Sequence, residues 1–259
     1  MPPTVYATRY VTPLREGGSL PAIVEASDLG FYVLKFRGAG QGPLALVAEL
    51  IAAGIGQALG FKIPDVVLME VDAALGRNEP DPEIRDLLKA SVGVNLGVDY
   101  LPGSVTFDSA AGESVEPDLA SALVWFDAFI TNVDRTPRNP NLLWWHKVLH
   151  PIDHGAALYF HHNWQNLEQM AESRFPAVRD HVLLPWASRI EEADRRLRPM
   201  LDEALFARVI GDIPESWLLT DPGLSPADRR AGYLTFLTRR LQAAPGFVEE
   251  AVRARSQLV

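Results

Sequence analysis

Asp134, Asn139 and Asp153 stand five and then fourteen positions apart within FITNVDRTPRNPNLLWWHKVLHPIDHG, residues 129–155. In that order they match the division of labour that phosphoryl transfer requires. One carboxylate orients the attacking hydroxyl, while an amide oxygen and a second carboxylate hold Mg²⁺ against the phosphates. Hard oxygen donors suit Mg²⁺, and the metal neutralises charge on the group in transit. Taken singly, Asp134 and Asn139 are ordinary turn formers and Asp153 an ordinary residue ahead of Gly155. Their joint placement on a helix end, a polar loop and two short strands makes Asp134 the candidate catalytic group and Asn139 and Asp153 the candidate metal ligands.

Lys35 lies in FYVLKF, where strand alternation puts Phe31, Val33 and Lys35 on one face and Tyr32, Leu34 and Phe36 on the other. A lysine among apolar neighbours needs a counter-charge. Glu49, fourteen residues on in the apolar run LALVAELIAAG, supplies one, and a strand lysine paired with a helix glutamate is the arrangement that grips ATP phosphates in kinases. Val33 shares the Lys35 face and borders the same ligand. Between the first two strands, Gly17, Gly18 and Ser19 offer backbone N–H groups and a hydroxyl to phosphates, although the segment is neither a Walker loop nor a GxGxxG. Glu70 and Val71 end the fourth strand, where a hinge would present backbone groups to adenine; core packing is the competing role for their side chains.

A rival chemistry comes from His146, His150 and His154, which with Asp134 and Asp153 suggest a transition-metal hydrolase. Four-residue spacing gathers side chains only on a helix, and HKVLHPIDH reads as strands interrupted by Pro151.

The elements that must position these groups follow from periodicity. Val5–Thr12, Ala22–Ala26 and Phe31–Phe36 read as strands, a helix runs from Pro43 to about Leu59, and residues 65–71 form another strand, giving β-β-β-α-β. Between Asp72 and Asp118 the pattern blurs into a polar stretch, a short helix and a Gly-punctuated run. A helix then follows Pro117, with apolar residues at Leu119, Leu123, Phe126, Phe129 and Ile130, and two short strands at 142–145 and 148–152. From about Leu167 the chain is helical, punctuated by prolines.

The chain resembles the HipA-like kinases, in particular a compact bacterial group without the longer N-terminal region of toxin kinases. NVDRTPRN (132–139) is similar to that family's Asn-x-Asp-Arg-x-x-x-Asn catalytic loop, and PIDHG (151–155) to its metal-binding Asp motif. The catalytic loops of phosphatidylinositol kinases share Asp-Arg-x-x-x-Asn. The resemblance spans Tyr10 to about Asn163 and covers the C-terminal helices only in general character. It implies Asp134 as base or hydroxyl-orienting residue, Asn139 and Asp153 as metal ligands, Lys35 as phosphate contact and Glu49 as its partner. Thr136 stands where relatives often carry His, and His154 follows the metal Asp where typical protein kinases have Phe. Thr136 keeps a second expectation open, a pseudokinase or regulatory module that binds nucleotide without transfer.

The expected fold is α+β, a protein-kinase-like two-lobed arrangement within one domain over 1–259: a small β-rich N-lobe with one helix (1–72), a hinge near 70–75 and a mostly helical C-lobe (73–259). ATP and Mg²⁺ are the expected cofactors and a protein Ser/Thr hydroxyl the expected acceptor. With 47% hydrophobic residues the chain can bury a substantial core. A net charge of −9 and no Lys/Arg cluster argue against a nucleic-acid partner. No cysteine is present, which excludes thiolate sites and fits a reducing cytoplasm. MPPTVYATRY lacks the apolar core of a signal peptide, and LALVAELIAAGIGQALG (44–60), interrupted by Glu49 and Gln57, is too short and too polar for a membrane span.

Overall fold

Alternation decides the first half of the chain. In the computed structural model, which describes residues 1–14, 20–40, 42–77, 79–112, 114–220 and 223–258, strands β1 (Thr4–Pro13), β2 (Ala22–Ala26) and β3 (Phe31–Lys35) form an antiparallel meander. The expected phosphate loop at Gly17, Gly18 and Ser19 lies outside the described residues. Helix α1 (Gly42–Ala58) then carries the chain to β4 (Val66–Val71), which pairs in parallel with β1. A fifth strand, β5 (Gly93–Asp99), inserts between β3 and β4 and closes a barrel of order β1-β2-β3-β5-β4. The barrel thus takes in the chain as far as Asp99, beyond residue 72.

Every second side chain of these strands points into the barrel. Val24, Leu34, Val67 and Met69 fill it, and Ile84 and Leu88 of helix α2 (Pro82–Ala90) close one side. α2 is begun by the Asp81 carboxylate, which accepts the Glu83 N–H at 2.9 Å, with Pro82 at the first helical position. Gly97 is required where β5 crosses this packed interior. A Cβ there would lie 2.7 Å from Val67 Cγ2 and 2.9 Å from Met69 Cε. The Met69 thioether can bend away; the β-branched Val67 cannot. Gly97→Val should cost about 1–3 kcal/mol by overpacking, seen as a lower urea midpoint at unchanged m-value.

The second core gathers the remaining helices. α1 is buried through consecutive residues from Leu46 to Ala53, the mark of a helix enclosed on all sides. It packs on β5 and on α6 (Glu203–Gly211). α3 (Pro117–Phe129) is likewise buried from Ala120 to Phe129 and rests on α5 (Ile190–Leu197) and α8 (Ala244–Ser256). α4 (Leu167–Ala171) and α6 pack on α7 (Pro226–Gln242). A second, small sheet joins β6 (Val105–Thr106), β7 (Leu142–Trp145) and β8 (Val148–Pro151), with α3 falling between β6 and β7 in sequence. The architecture is thus mixed α/β, with eight α-helices among the described residues. None of these helices is long and apolar enough to cross a membrane.

Candidate active site

A cleft of about 790 Å³ opens between the barrel and the β7–β8 hairpin, and Val33, Lys35, Glu49, Asn139, Asp153 and His154 all line it. Strand alternation explains the first two: Tyr32 and Leu34 turn into the barrel, so Val33 and Lys35 turn out of it into the cleft.

Lys35 Nζ makes an ion pair with Glu49 Oε1 and another, at 2.7 Å, with Asp153 Oδ1. The second oxygen of Glu49 accepts the His154 backbone N–H at 2.8 Å and stands 3.4 Å from His154 Nδ1. Glu49 is only 4% exposed in the buried, apolar middle of α1, so these donors are what make a buried carboxylate tolerable there. Asp153 lies in the left-handed region at φ 52°, a conformation Asp accepts more readily than most residues and one that aims its half-exposed carboxylate into the cleft. Lys35 holds the Asp153 carboxyl below its usual pKa, against the opposing effect of burial. Burial pushes the imidazole of His154 down to about 3, with Arg135 adding to the effect, so the ring is neutral at physiological pH.

Asp134 does not line the cleft itself; it sits one hydrogen bond behind Asn139, whose Nδ2 donates to Asp134 Oδ2 at 2.8 Å. Asn141 Nδ2 approaches the same oxygen at 3.5 Å. Burial raises the Asp134 pKa and nearby Asp153 raises it further, while the bond from Asn139 opposes both. With its amide nitrogen engaged in this way, Asn139 keeps its amide oxygen for another partner. Asn139 and Asp153 are hard oxygen donors with the Asp134 carboxylate one hydrogen bond behind Asn139, and this donor set fits Mg²⁺.

Thr136 braces the turn in place of an imidazole. It forms an isolated β-bridge with Asn139, N–H to carbonyl at 3.1 Å in both directions, and its hydroxyl accepts the Asn139 N–H at 3.3 Å.

Beneath the loop lies a buried network. Asp127, the one acid in the enclosed stretch of α3, is fully buried and accepts from Arg135 Nε at 2.5 Å, His181 Nε2 at 2.9 Å and Asn132 Nδ2 at 2.9 Å. Burial alone would push its carboxyl up, but Arg135 and His181 outweigh that and hold it well below the usual carboxylate range. Arg135 Nη1 in turn donates to the carbonyls of Asn141 and, at 3.2 Å, Ile152. At the end of α3, the carbonyls of Ala128 and Phe129 accept from the buried Arg240 of α7, which satisfies acceptors that the helix leaves unpaired.

Two expectations differ from the structure. Glu70 and Val71 do not line the cleft: Val71 is packed inside the barrel, and Glu70 pairs along its strand with Val94 and Tyr6. The segment that does border the cleft is Asp99–Leu101, at the end of β5 and just beyond it. The metallohydrolase arrangement also fails: among the described residues no three His, Asp or Glu side chains are placed to hold a metal. His150 instead packs edge-on against Trp145, and His154 is buried against Glu49 and Phe126.

Sequence reasoning missed Asn141, Arg135, Asp127 and His181. Arg135 lay inside the quoted motif, and an Asp set in the apolar run ALVWFDAF was a readable signal. Nothing near His181 pointed to it.

Comparison with known proteins agrees with this geometry. A family model described as HipA-like kinase matches residues 8–244. A crystal structure of a Helicobacter pylori proinflammatory kinase, CtkA, superposes with a TM-score of 0.57 at 14% sequence identity, covering 99% of this chain and 100% of that one. At that identity the likeness shows a shared fold. No curated protein sequence matches the chain.

Proposed function

Because the chain belongs to the HipA-like kinase family, we propose that it transfers the γ-phosphoryl group of ATP to a hydroxyl, that of a protein serine or threonine. The observation that carries the reading is the convergence on one cleft of Lys35 and Glu49 from the barrel side and Asn139 and Asp153 from the hairpin side, with Asp134 behind them. The choice of a protein acceptor rests on the family resemblance alone.

In this reading the barrel with α1 is a small lobe, the helices form a large one, and ATP lies between them within a single domain. Lys35, held by Glu49, contacts the phosphates, and Val33 flanks the nucleotide. The Tyr100 amide is already taken by the Phe31 carbonyl at 3.0 Å, which leaves the Leu101 amide as the donor for a base edge. Mg²⁺ bound with the nucleotide would supply charge neutralisation on the transferring group. Asn139 and Asp153 would hold it, and the Asp134 carboxylate would orient the acceptor hydroxyl and take its proton. The bracing of the loop through Thr136 supports an active enzyme over a binding module.

A thermal-shift titration with ATP and Mg²⁺, singly and together, tests the reading. Stabilisation should require both ligands and reach about 2.7 kcal/mol at a hundredfold excess over Kd. Lys35→Met should lose most of the ligand-dependent stabilisation; because it also leaves the buried Glu49 without its lysine, the variant should start from a lower apo midpoint, and the shift is read against that midpoint. No shift at millimolar nucleotide would sink the proposal. Label transfer from γ-labelled ATP to protein and small-molecule hydroxyls then separates kinase from module.

A further inference from the structure

We propose that His181 is a positioning residue for this site, acting through Asp127 and Arg135 on the segments that carry Asp134, Asn139 and Asp153. The inference rests on the kinase reading. His181 lies 54 residues from Asp127, outside the motifs, and its side chain is almost fully enclosed.

Its orientation is fixed on both edges. Nδ1 accepts the Leu183 backbone N–H at 3.0 Å, so the neutral ring carries its proton on Nε2 and donates it to Asp127 Oδ2 at 2.9 Å. On the other carboxylate oxygen sits Asn132 Nδ2. Held from two sides, the Asp127 carboxylate cannot turn, and it presents a fixed plane to the Arg135 guanidinium, which bonds to both of its oxygens at 2.5 and 3.4 Å.

The ties then run outward to each functional segment. Asn132 Oδ1 accepts the Asp134 N–H at 3.2 Å. Arg135 Nη1 reaches the Asn141 carbonyl, two residues past Asn139, and the Ile152 carbonyl, immediately before Asp153. A return bond from the Val182 N–H to the Arg135 carbonyl, at 3.0 Å, locks the His181 segment to the loop. A buried cluster serving only stability has no need to touch all three segments. Because positioning is the main contribution of protein groups to phosphoryl transfer, a shift of about 1 Å here would cost up to about 10²-fold in rate.

Two substitutions separate the hydrogen bond from the packing. In His181→Asn the amide occupies the place of Nδ1 and still accepts from Leu183, but nothing reaches Asp127. In His181→Gln the amide nitrogen lies near the place of Nε2 and restores that donor. His181→Asn should lower kcat for Mg²⁺-dependent ATP turnover by about 10- to 100-fold with KM for ATP unchanged, and His181→Gln should recover most of it. Amide hydrogen exchange over residues 132–141 should quicken in the Asn variant and return towards wild type in the Gln variant. A folded His181→Asn with wild-type turnover overturns the proposal, as do equal losses in both variants with unchanged exchange. Unfolding of both would make His181 a stability residue only, which also overturns it. If wild type itself turns over no ATP, the kinase reading is what fails, and the exchange comparison still decides whether His181 orders the loop.

Discussion

Asp153→Asn should abolish Mg²⁺-dependent ATP turnover, lowering it by about 10³-fold or more, and leave the fold intact. Asn is the substitution of choice because residue 153 sits at φ 52°, a conformation Asn adopts with little strain whereas Ala would add a steric cost. The variant therefore removes charge without disturbing the turn. A loss of 10³-fold corresponds to about 4 kcal/mol of transition-state stabilisation, the scale expected when a carboxylate that anchors the charge-neutralising ion is lost. Global stability should hardly change. The ion pair to Lys35 is lost, but the Asp153 side chain is half exposed and Lys35 keeps Glu49. The measurement is turnover against Mg²⁺ concentration, with circular dichroism melts run in parallel. A folded Asp153→Asn protein that retained Mg²⁺-dependent turnover would remove Asp153 from the site.

The candidate site was legible in sequence where it is local. Asp134, Asn139 and Asp153 fall within one stretch of helix end, loop and hairpin, and the hairpin's register carries Asp153 back towards Asn139 without help from distant chain. Lys35 and Glu49 betrayed themselves by polarity in apolar surroundings, and the structure pairs them directly. β5 was not legible. Its glycines, Gly93 and Gly97, break the alternation that marks a strand, and the reason for Gly97 is the Val67 side chain of a neighbouring strand. With β5 unread, the strand that borders the cleft at Asp99–Leu101 was not available, and the expectation fell on Glu70 and Val71, which do not line the cleft. The network around Asp127 was hidden for a related reason: its members Asn132, Arg135 and His181 are joined by tertiary packing, and no period or spacing rule connects α3 to a 3-10 turn fifty residues on.

That network gives the second large effect. Arg135→Met should destabilise the protein by about 3–5 kcal/mol, because it leaves the fully buried Asp127 carboxylate without its guanidinium and strands the carbonyls of Asn141 and Ile152. This is a large part of the 5–15 kcal/mol that typically holds a domain together. The double variant Asp127→Leu/Arg135→Met should be more stable than the single one, since no unpaired buried charge remains. It should not return to wild type, because Asn132 and His181 then lack their acceptor. Acid response gives an independent check. In wild type the Asp127 carboxyl is depressed below its unfolded value of about 3.9, so its contribution is complete above that pH and is lost as the pH falls towards the folded value. In Arg135→Met the strongest lowering influence is gone and burial raises the carboxyl instead, so the folded variant binds a proton more readily than the unfolded one and gains relative stability on acidification. The stability gap between wild type and Arg135→Met should therefore narrow from pH 7 to pH 4 in chemical denaturation. A gap that stayed constant or widened would mean that the Asp127–Arg135 pair does not dominate the site's support, and that the loop is held by the main-chain bonds of the Thr136–Asn139 turn instead.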